Sequence, residues 1–194
     1  AGRALVVTEK ATDKLVVYEV DRDGVPEAAP EVVASAGPTP FGFAFGLRGE
    51  VFVSEAAGGA PGVSSVSSYK LTRDGTLDVV SGAAATNQTA SCWIAVTPDG
   101  RYVYSAVAGS SAISGYHVKP GGEITLLDAD GITASTGAGS VPLDLAISAD
   151  GRFLYSFNVG NKTLSEFRIG ADGSLRAIGT VSGVPAGANG LIAR

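Results

Sequence analysis

The chain has 194 residues, a formal net charge of −5, 45% hydrophobic and 17% charged residues, and 27 glycines. This much apolar content with so little charge excludes a disordered chain, and the glycines follow no three-residue period, which excludes collagen. No cluster of Lys and Arg indicates a basic surface, and no apolar stretch approaches the ~18 residues of a membrane span. We therefore expect neither a nucleic-acid partner nor a membrane partner.

The chain contains no methionine, even at position 1, and a single cysteine, Cys92. The absent methionine predicts that these residues are part of a longer sequence. One cysteine cannot form an internal disulfide and says little about the compartment. We expect a cytoplasmic protein, and secretion stays open because the native amino terminus is expected to be missing.

Four repeats follow one another along the chain, with a period of 47 to 51 residues. A strand carries an aromatic residue at the same position of each repeat, and a glycine follows six residues later. The repeats are predicted to span residues 1–36 together with 189–194, then 37–90, 91–140 and 141–188. The aromatic residues are Tyr18, Tyr69, Tyr116 and Phe167, and the glycines are Gly24, Gly75, Gly122 and Gly173.

Each repeat is predicted to contain four short strands in a fixed order. In the third repeat, an apolar strand over 94–96 precedes a Pro-Asp-Gly turn and a second strand over 101–105. The third strand alternates, as residues 164–169 do in the last repeat, and a second Asp-Gly turn leads to a weaker outer strand. Asp-Gly between alternating runs is typical of hairpins. Four-stranded antiparallel units at this spacing predict an all-β fold, a β-propeller of about four blades. A β-sandwich is the rival, but it would not repeat in this way.

The two ends of the chain are predicted to complete one repeat. The chain starts with a second strand over 3–8, and residues 189–194 match a first strand that has no second strand after it. Pairing of these segments would close a ring of four blades and remove two free edges. The alternatives are a portion of a larger ring, and self-association of two chains if the ring is incomplete.

The loops after the second and fourth strands of each repeat lie on one face, which we call the loop face, and any site is expected there. Glu9 and Glu55 are the candidate catalytic residues, because each ends an apolar strand where desolvation could raise a carboxyl pKa. The alternative is that both are solvated loop carboxylates. Trp93 is either a stacking platform or a plug of the channel. The candidate ligand-binding residues are Lys10, Asn87, Gln88, Ser91, Trp93, Asp144, Asn158 and Asn161.

Other residues point away from metal and cofactor chemistry. His117 is the single histidine and lies on the polar, outward side of a third strand. Cys92 has no histidine or second cysteine to form a dyad or a metal site. The Asp-rich turn at 21–24 lacks the further ligands of a calcium loop. We therefore predict no metal and no cofactor.

Residues 93–104 and 145–155, with their D-G-R turns, resemble the lactonase-type propellers, which include 6-phosphogluconolactonase and the 3-carboxymuconate cyclases. The resemblance implies seven blades in the parent, of which this chain would be the carboxyl-terminal four, and a bacterial source. It also implies metal-independent lactone hydrolysis, or carboxymuconate-type cyclisation by an isomerase, on a small lactone or organic acid. The position of Asn158 often carries Asn in this family, and Val107 departs from it.

Two functions therefore stay open. The first is an enzyme that acts on a lactone or its open acid, with Glu9 or Glu55 moving a proton. The second is a non-catalytic propeller that binds a small ligand or a protein on its loop face. Arginine or histidine reaching the channel would favour the enzyme, and an apolar plug around Trp93, Phe41 and Leu143 would disfavour it.

Overall fold

The computed structural model describes residues 3–194, so the first two residues of the predicted first repeat lie outside it. Within that range the chain forms sixteen strands and two short 3₁₀ turns, at Ala57–Gly59 and Ala108–Ser110. The strands are β1 (Ala4–Glu9), β2 (Lys14–Glu19), β3 (Glu31–Ala34), β4 (Pro40–Phe45), β5 (Glu50–Glu55), β6 (Ser65–Leu71), β7 (Leu77–Ala85), β8 (Ser91–Val96), β9 (Tyr102–Val107), β10 (Ala112–Val118), β11 (Ile124–Leu126), β12 (Ala134–Ser135), β13 (Pro142–Ile147), β14 (Phe153–Asn158), β15 (Thr163–Ile169) and β16 (Leu175–Ser182).

These strands form four antiparallel sheets, which confirms the predicted all-β, propeller-like arrangement. The first sheet contains β1–β3, the second β4–β7, the third β8–β12 and the fourth β13–β16. The register aligns the repeats, because Tyr18, Tyr69, Tyr116 and Phe167 pair with Leu5, Val51, Val103 and Leu154 on the neighbouring strand. Strand β1 is therefore the second strand of its repeat, as predicted.

The outer strand of the third sheet is interrupted by a loop. Its outer strand is divided into β11 and β12, which both pair with β10. Between them the chain leaves the sheet over 128–132, after the Leu127 N–H donates to the Gly115 carbonyl at 3.0 Å, and it returns where the Thr133 N–H donates to the Ile113 carbonyl at 2.9 Å.

Three apolar clusters hold neighbouring sheets together. Alternating side chains of each strand face opposite sides of its sheet, so every inner sheet contributes to two clusters. The first and second sheets bury Val6, Leu15 and Val53 together with Tyr69. The other two clusters lie between the second and third sheets, with Phe52, Val103 and Tyr116, and between the third and fourth, with Tyr104, Leu154 and Phe167.

Residues 189–194 differ from the expectation that they form a strand beside β1. No strand is assigned there, and the first sheet has three strands. The segment instead binds the fourth sheet, where the Leu191 N–H donates to Asp144 Oδ2 at 2.6 Å. That contact puts Leu191 beside β13, the first strand of the fourth sheet. Within residues 3–194, β1 makes no pairing with this segment, so no strand pairing joins the first sheet to the fourth.

Candidate functional site

The first strands of the sheets carry bulges on the loop face, and these bulges hold the candidate site. Pairing shifts between Pro40 and Phe43 in β4 and between Ser91 and Ile94 in β8. The two bulges lie in contact, because a Cβ on Gly42 would lie 2.5 Å from the Cys92 carbonyl oxygen and 2.9 Å from the Trp93 Cα. Only glycine permits this approach.

Hydroxyl groups from the second strands of the first and second sheets connect each of these sheets to the bulge of the next. Thr8 Oγ1 donates to the Phe41 carbonyl at 2.8 Å, and Ser54 Oγ, at the same repeat position, lies against the Cys92 carbonyl. Ser54 also accepts from the Gly42 N–H at 3.0 Å. These bonds fix the relative positions of Phe41 and Trp93 through the backbone.

A cation and aromatic side chains meet at these bulges. The Lys10 Nζ lies 5.2 Å from the centre of the Phe41 ring, within cation–π range. Trp93, in the neighbouring bulge, keeps 41% of its surface exposed. Burial raises the pKa of the Cys92 thiol, against smaller opposing effects of the Ala108 backbone and the Lys10 charge, so the thiol stays protonated. The cluster can therefore offer an ammonium group and an open indole face to a ligand.

The two candidate acid–base residues lie in different environments. Glu9 is exposed beside Lys10, and its Oε2 accepts from Thr12 Oγ1 at 2.7 Å. Glu55 is fully buried and accepts from the Gly37 N–H at 3.0 Å, from Ser67 Oγ at 2.5 Å and from the hydroxyls of Ser35 and Ser65. Burial raises the pKa of Glu55, with the hydroxyl and Gly37 hydrogen bonds opposing that rise.

Asn158 occupies in the fourth sheet the position that Glu55 occupies in the second. Each pairs with the first residue of its third strand, Asn158 with Thr163 and Glu55 with Ser65. Asn158 is fully buried, and its Nδ2 donates to Thr163 Oγ1 at 3.0 Å and to Ser165 Oγ at 2.8 Å. Its Oδ1 accepts from Ser156 at 3.0 Å. The amide therefore satisfies a buried polar position inside the sheet.

Ser91 and Asp144 are also buried within the sheets. Ser91 Oγ lies 2.6 Å from Ser105 Oγ. Asp144 is 4% exposed, and its two oxygens accept from the N–H groups of Leu145 at 2.7 Å and Leu191 at 2.6 Å. Burial raises the pKa of Asp144, and the two backbone N–H groups oppose that rise.

The remaining candidates hold loops. Asn87 Nδ2 donates to the Ala129 carbonyl at 3.0 Å, and Gln88 Nε2 donates to the Asp130 carbonyl at 2.7 Å. Both bonds pin the chain segment that leaves the third sheet. Asn161 Oδ1 accepts from Thr163 Oγ1 at 2.7 Å, at the end of the network around Asn158. The structure thus brings Glu9, Lys10 and Trp93 to one region and places the other candidates in structural roles.

Sequence reasoning missed two features. The sequence suggests Phe41 only as part of an apolar plug of the channel, whereas in the structure the Lys10 ammonium lies over its ring. The hydroxyls around Glu55 were not singled out, although Ser65 and Ser67 stand two residues apart on one side of β6, and Thr163 and Ser165 repeat this spacing in β15.

A cleft of about 270 Å³ lies away from the loop face, between the Asp-Gly turns that contain Asp99 and Asp150. Among residues 3–194, no helix is long and apolar enough to cross a membrane.

Comparison with known proteins identifies the fold. No protein-family model matches the chain, and no curated protein is significantly similar to it. Among solved structures, the chain is similar to a Lactobacillus plantarum protein, with 18% identity, a TM-score of 0.74, and coverage of 97% of this chain and 55% of the other.

Two further structures have names that state an activity. The chain is similar to the periplasmic gluconolactonase of Pseudomonas aeruginosa, with 24% identity, a TM-score of 0.73, and coverage of 91% of this chain and 51% of the other. It is also similar to a candidate 6-phosphogluconolactonase from Bacteroides uniformis, with 22% identity, a TM-score of 0.71, and coverage of 92% and 53%. The chain therefore spans about half the length of these structures, and the similarity shows the propeller fold.

Proposed function

We propose that the loop face binds the lactone of a sugar acid and that this protein, or the longer protein to which its residues belong, hydrolyses it. The observation that carries the proposal is the Lys10 ammonium over the Phe41 ring, in the bulge beside the exposed Trp93. Two structural neighbours are named for the hydrolysis of gluconolactone or its 6-phosphate, which supports the substrate class.

The residues supply the chemistry of lactone opening as follows. Water attacks the carbonyl carbon of the lactone, the ring C–O bond breaks, and a hydroxy acid is released. The Lys10 ammonium stabilises the negative charge that develops on the carbonyl oxygen. The exposed Trp93 indole packs against the apolar face of the sugar ring. Glu9, beside Lys10 in the chain and open to solvent, accepts the proton of the attacking water and gives it to the ring oxygen as the C–O bond breaks.

Glu55 has no part in this proposal, although its raised pKa suits an acid–base residue. A substrate atom could reach its carboxyl only if the contacts with Gly37, Ser65 and Ser67 separated. The proposal also favours hydrolysis over the cyclisation that the family resemblance allows, because the named neighbours are lactonases. Glu9 and Lys10 are therefore the residues to vary.

The test is the rate of acid release from glucono-1,5-lactone and its 6-phosphate at constant pH, above the spontaneous rate. We expect Glu9→Gln and Lys10→Ala each to lower the enzyme-dependent rate by about 10²-fold or more. Glu123→Gln and Lys119→Ala, exposed residues away from the loop face, are the matched controls and should keep the rate. No release above the spontaneous rate, or equal rates in Lys10→Ala and Lys119→Ala, would contradict the proposal.

A further inference from the structure

The cleft of about 270 Å³ lies between the third and fourth sheets, at the end of these sheets opposite the loop face. One wall is the turn between β8 and β9, and the other is formed by residues 150–152 and 169–171 of the fourth sheet. Pro98 packs on the opposite wall, since a Cβ on Gly151 would lie 3.3 Å from the Pro98 Cδ. Both walls therefore belong to sheets that pack on each other within the chain.

Two tyrosine hydroxyl groups hold the walls of this cleft together. Tyr102, which lines the cleft and is 5% exposed, donates to the Ala171 carbonyl at 2.9 Å. Tyr104, two residues later on β9, is fully buried and donates to the Gly173 carbonyl at 2.9 Å. Both bonds join the third sheet to the turn between β15 and β16. The cleft is therefore formed in advance of any ligand, as small-molecule sites usually are.

Arg101 brings a positive charge to the cleft without a direct ionic partner. Its guanidinium carbon lies 5.3 Å from the centre of the Tyr102 ring. Its Nη2 donates to Tyr102 Oη at 3.3 Å and to the Ala171 carbonyl at 3.5 Å, which are long contacts with neutral groups. Within residues 3–194, Arg101 forms no salt bridge. A guanidinium has five N–H donors, so most of those of Arg101 are left for a ligand.

Arginines in the corresponding turns of two other sheets are paired. Arg48 Nε lies 3.0 Å from Glu50 Oε1 in the second sheet, and Arg152 Nε lies 2.6 Å from Asp150 Oδ2 in the fourth. The other Asp150 oxygen accepts from Ser148 Oγ at 2.6 Å and from the Arg152 backbone N–H at 3.1 Å. The Ser148 hydroxyl and the Arg152 groups lower the pKa of Asp150 to about 2. Asp150 is thus held within its own turn.

Asp99 offers a hydrogen-bond acceptor on the same wall as Arg101. Its Oδ1 accepts from Thr97 Oγ1 at 2.6 Å and from the Arg101 backbone N–H at 3.0 Å, and no group of residues 3–194 donates to its Oδ2. Partial burial raises the pKa of Asp99, but the Thr97 hydroxyl, the Arg101 N–H and the Arg101 charge outweigh this and lower it. The cleft therefore presents a guanidinium group and an ionised carboxylate oxygen that come from residues two positions apart.

We propose that this cleft binds a small hydroxy acid. The carboxylate of the ligand accepts from the Arg101 guanidinium, whose planar fork matches two carboxylate oxygens. A neighbouring hydroxyl of the ligand donates to Asp99 Oδ2. A hydroxyl suits this position better than an ammonium group, because Asp99 already interacts with the positive charge of Arg101. Pro98 and Ile169 also line the cleft and pack against the carbon chain of the ligand.

The test is isothermal titration calorimetry of gluconate into Lys10→Ala, the variant that lacks the proposed loop-face site. We expect saturable binding at one site per chain. Addition of Arg101→Gln to this variant should weaken the binding by about tenfold or more, because the charge and the bidentate contact are lost. Arg73→Gln, which changes an exposed arginine in the turn between β6 and β7, is the matched control and should leave the binding unchanged.

Two further ligands separate the carboxylate from the hydroxyl groups. Hexanoate has the carboxylate alone and sorbitol has the hydroxyl groups alone, so each should bind about tenfold more weakly than gluconate, or less tightly still. Asp99→Asn should weaken the binding of gluconate and should not weaken that of hexanoate, since only gluconate donates a hydrogen bond to Asp99.

Three results would overturn the proposal. The first is no binding of gluconate to Lys10→Ala. The second is equal binding after Arg101→Gln and after Arg73→Gln, and the third is hexanoate binding as tight as that of gluconate. None of these results bears on hydrolysis at the loop face, which is measured separately as acid release from the lactone by the native chain. Circular dichroism of each variant verifies that its sheets are retained.

Discussion

The loop-face ends of the second and fourth sheets solve one structural problem with different side chains. At the last residue of the second strand, the second sheet has Glu55 and the fourth sheet has Asn158, and both are fully buried. Both contact two hydroxyls of the neighbouring strand, Ser65 and Ser67 for Glu55, Thr163 and Ser165 for Asn158. An amide fills this position at no cost in charge, whereas a carboxyl must either lose its charge or share it with several donors. Burial at this position therefore makes the stability of the second sheet depend on pH, whereas the amide at the same position of the fourth sheet does not titrate.

In the third sheet, an apolar residue occupies the position that Glu55 and Asn158 occupy in the second and fourth sheets. There Val107 pairs with Ala112, and both are buried. A hydroxyl at the first residue of the third strand therefore accompanies a polar residue at the end of the second strand, whereas the hydroxyl two residues later is kept in the third sheet as Ser114. The comparison indicates that Glu55 is part of the packing of its sheet, and five substitutions test this, from the largest expected effect to the smallest.

Removal of the Glu55 side chain should have the largest effect. Glu55→Ala leaves the Gly37 N–H and the hydroxyls of Ser65 and Ser67 without their acceptor and opens a cavity. We expect the free energy of unfolding to fall by about 3 kcal/mol or more. Denaturant titration at pH 7 measures this, with the exposed Glu123→Ala as the control, for which ~0.5 kcal/mol or less is expected. Equal losses in the two variants would show that Glu55 is not part of the core.

The reverse exchange converts the fourth sheet to the chemistry of the second. In Asn158→Asp, the Thr163 and Ser165 hydroxyls must turn from accepting a hydrogen bond to donating one, and the new carboxyl is buried. We expect a loss of about 2 kcal/mol at pH 7. The loss should shrink as the pH is lowered and the carboxyl is protonated. A loss that does not change between pH 7 and pH 4 would contradict this reading.

Glu55→Gln should make the second sheet resemble the fourth and remove a pH dependence. In the folded protein the pKa of Glu55 is raised above its ordinary 4.5, so the unfolded chain ionises first. The stability that Glu55 contributes is therefore fully present below pH 4.5 and is lost as the pH rises towards the folded-state pKa. Relative to the native chain, Glu55→Gln should gain stability over that interval. Because the pKa of Asp144 is raised too, only the difference between the two proteins isolates Glu55.

Loss of one hydroxyl should have the smallest effect. Ser165→Ala removes one of the two acceptors of Asn158 Nδ2 and leaves the bond to Thr163. We expect a loss of about 1 kcal/mol. Ser67→Ala should cost more at high pH than at low pH, because its hydroxyl stabilises the charged form of Glu55. The same cost at both pH values would mean that Glu55 stays protonated throughout.

Much of the fold could be predicted from the sequence because a propeller repeats. The spacing of Tyr18, Tyr69, Tyr116 and Phe167 gave the number of sheets and the identity of β1 as a second strand. The strand expected over 189–194 is not formed, because the local pattern of a segment does not determine which strand lies close enough to pair with it.

The candidate site was less predictable than the fold. Glu9 and Glu55 look alike in sequence, since each ends an apolar second strand. Burial separates them, because Glu55 lies beneath the connection that carries Ser35 and Gly37, whereas Glu9 has no such cover. The contact of Lys10 with Phe41 joins two sheets, and the sequence around neither residue indicates it. Contacts of this kind between repeats can be identified only in the three-dimensional structure.

The central claim is that Lys10 and Trp93 form a binding site for a sugar acid on the loop face. Trp93 is the single tryptophan of the chain, so its fluorescence reports on this region alone. We predict a saturable change in emission when gluconate, the product of the proposed reaction, is titrated into the protein. The change should disappear in Lys10→Ala and persist in Lys119→Ala. An emission that gluconate leaves unchanged, or an identical titration in Lys10→Ala, would contradict the claim.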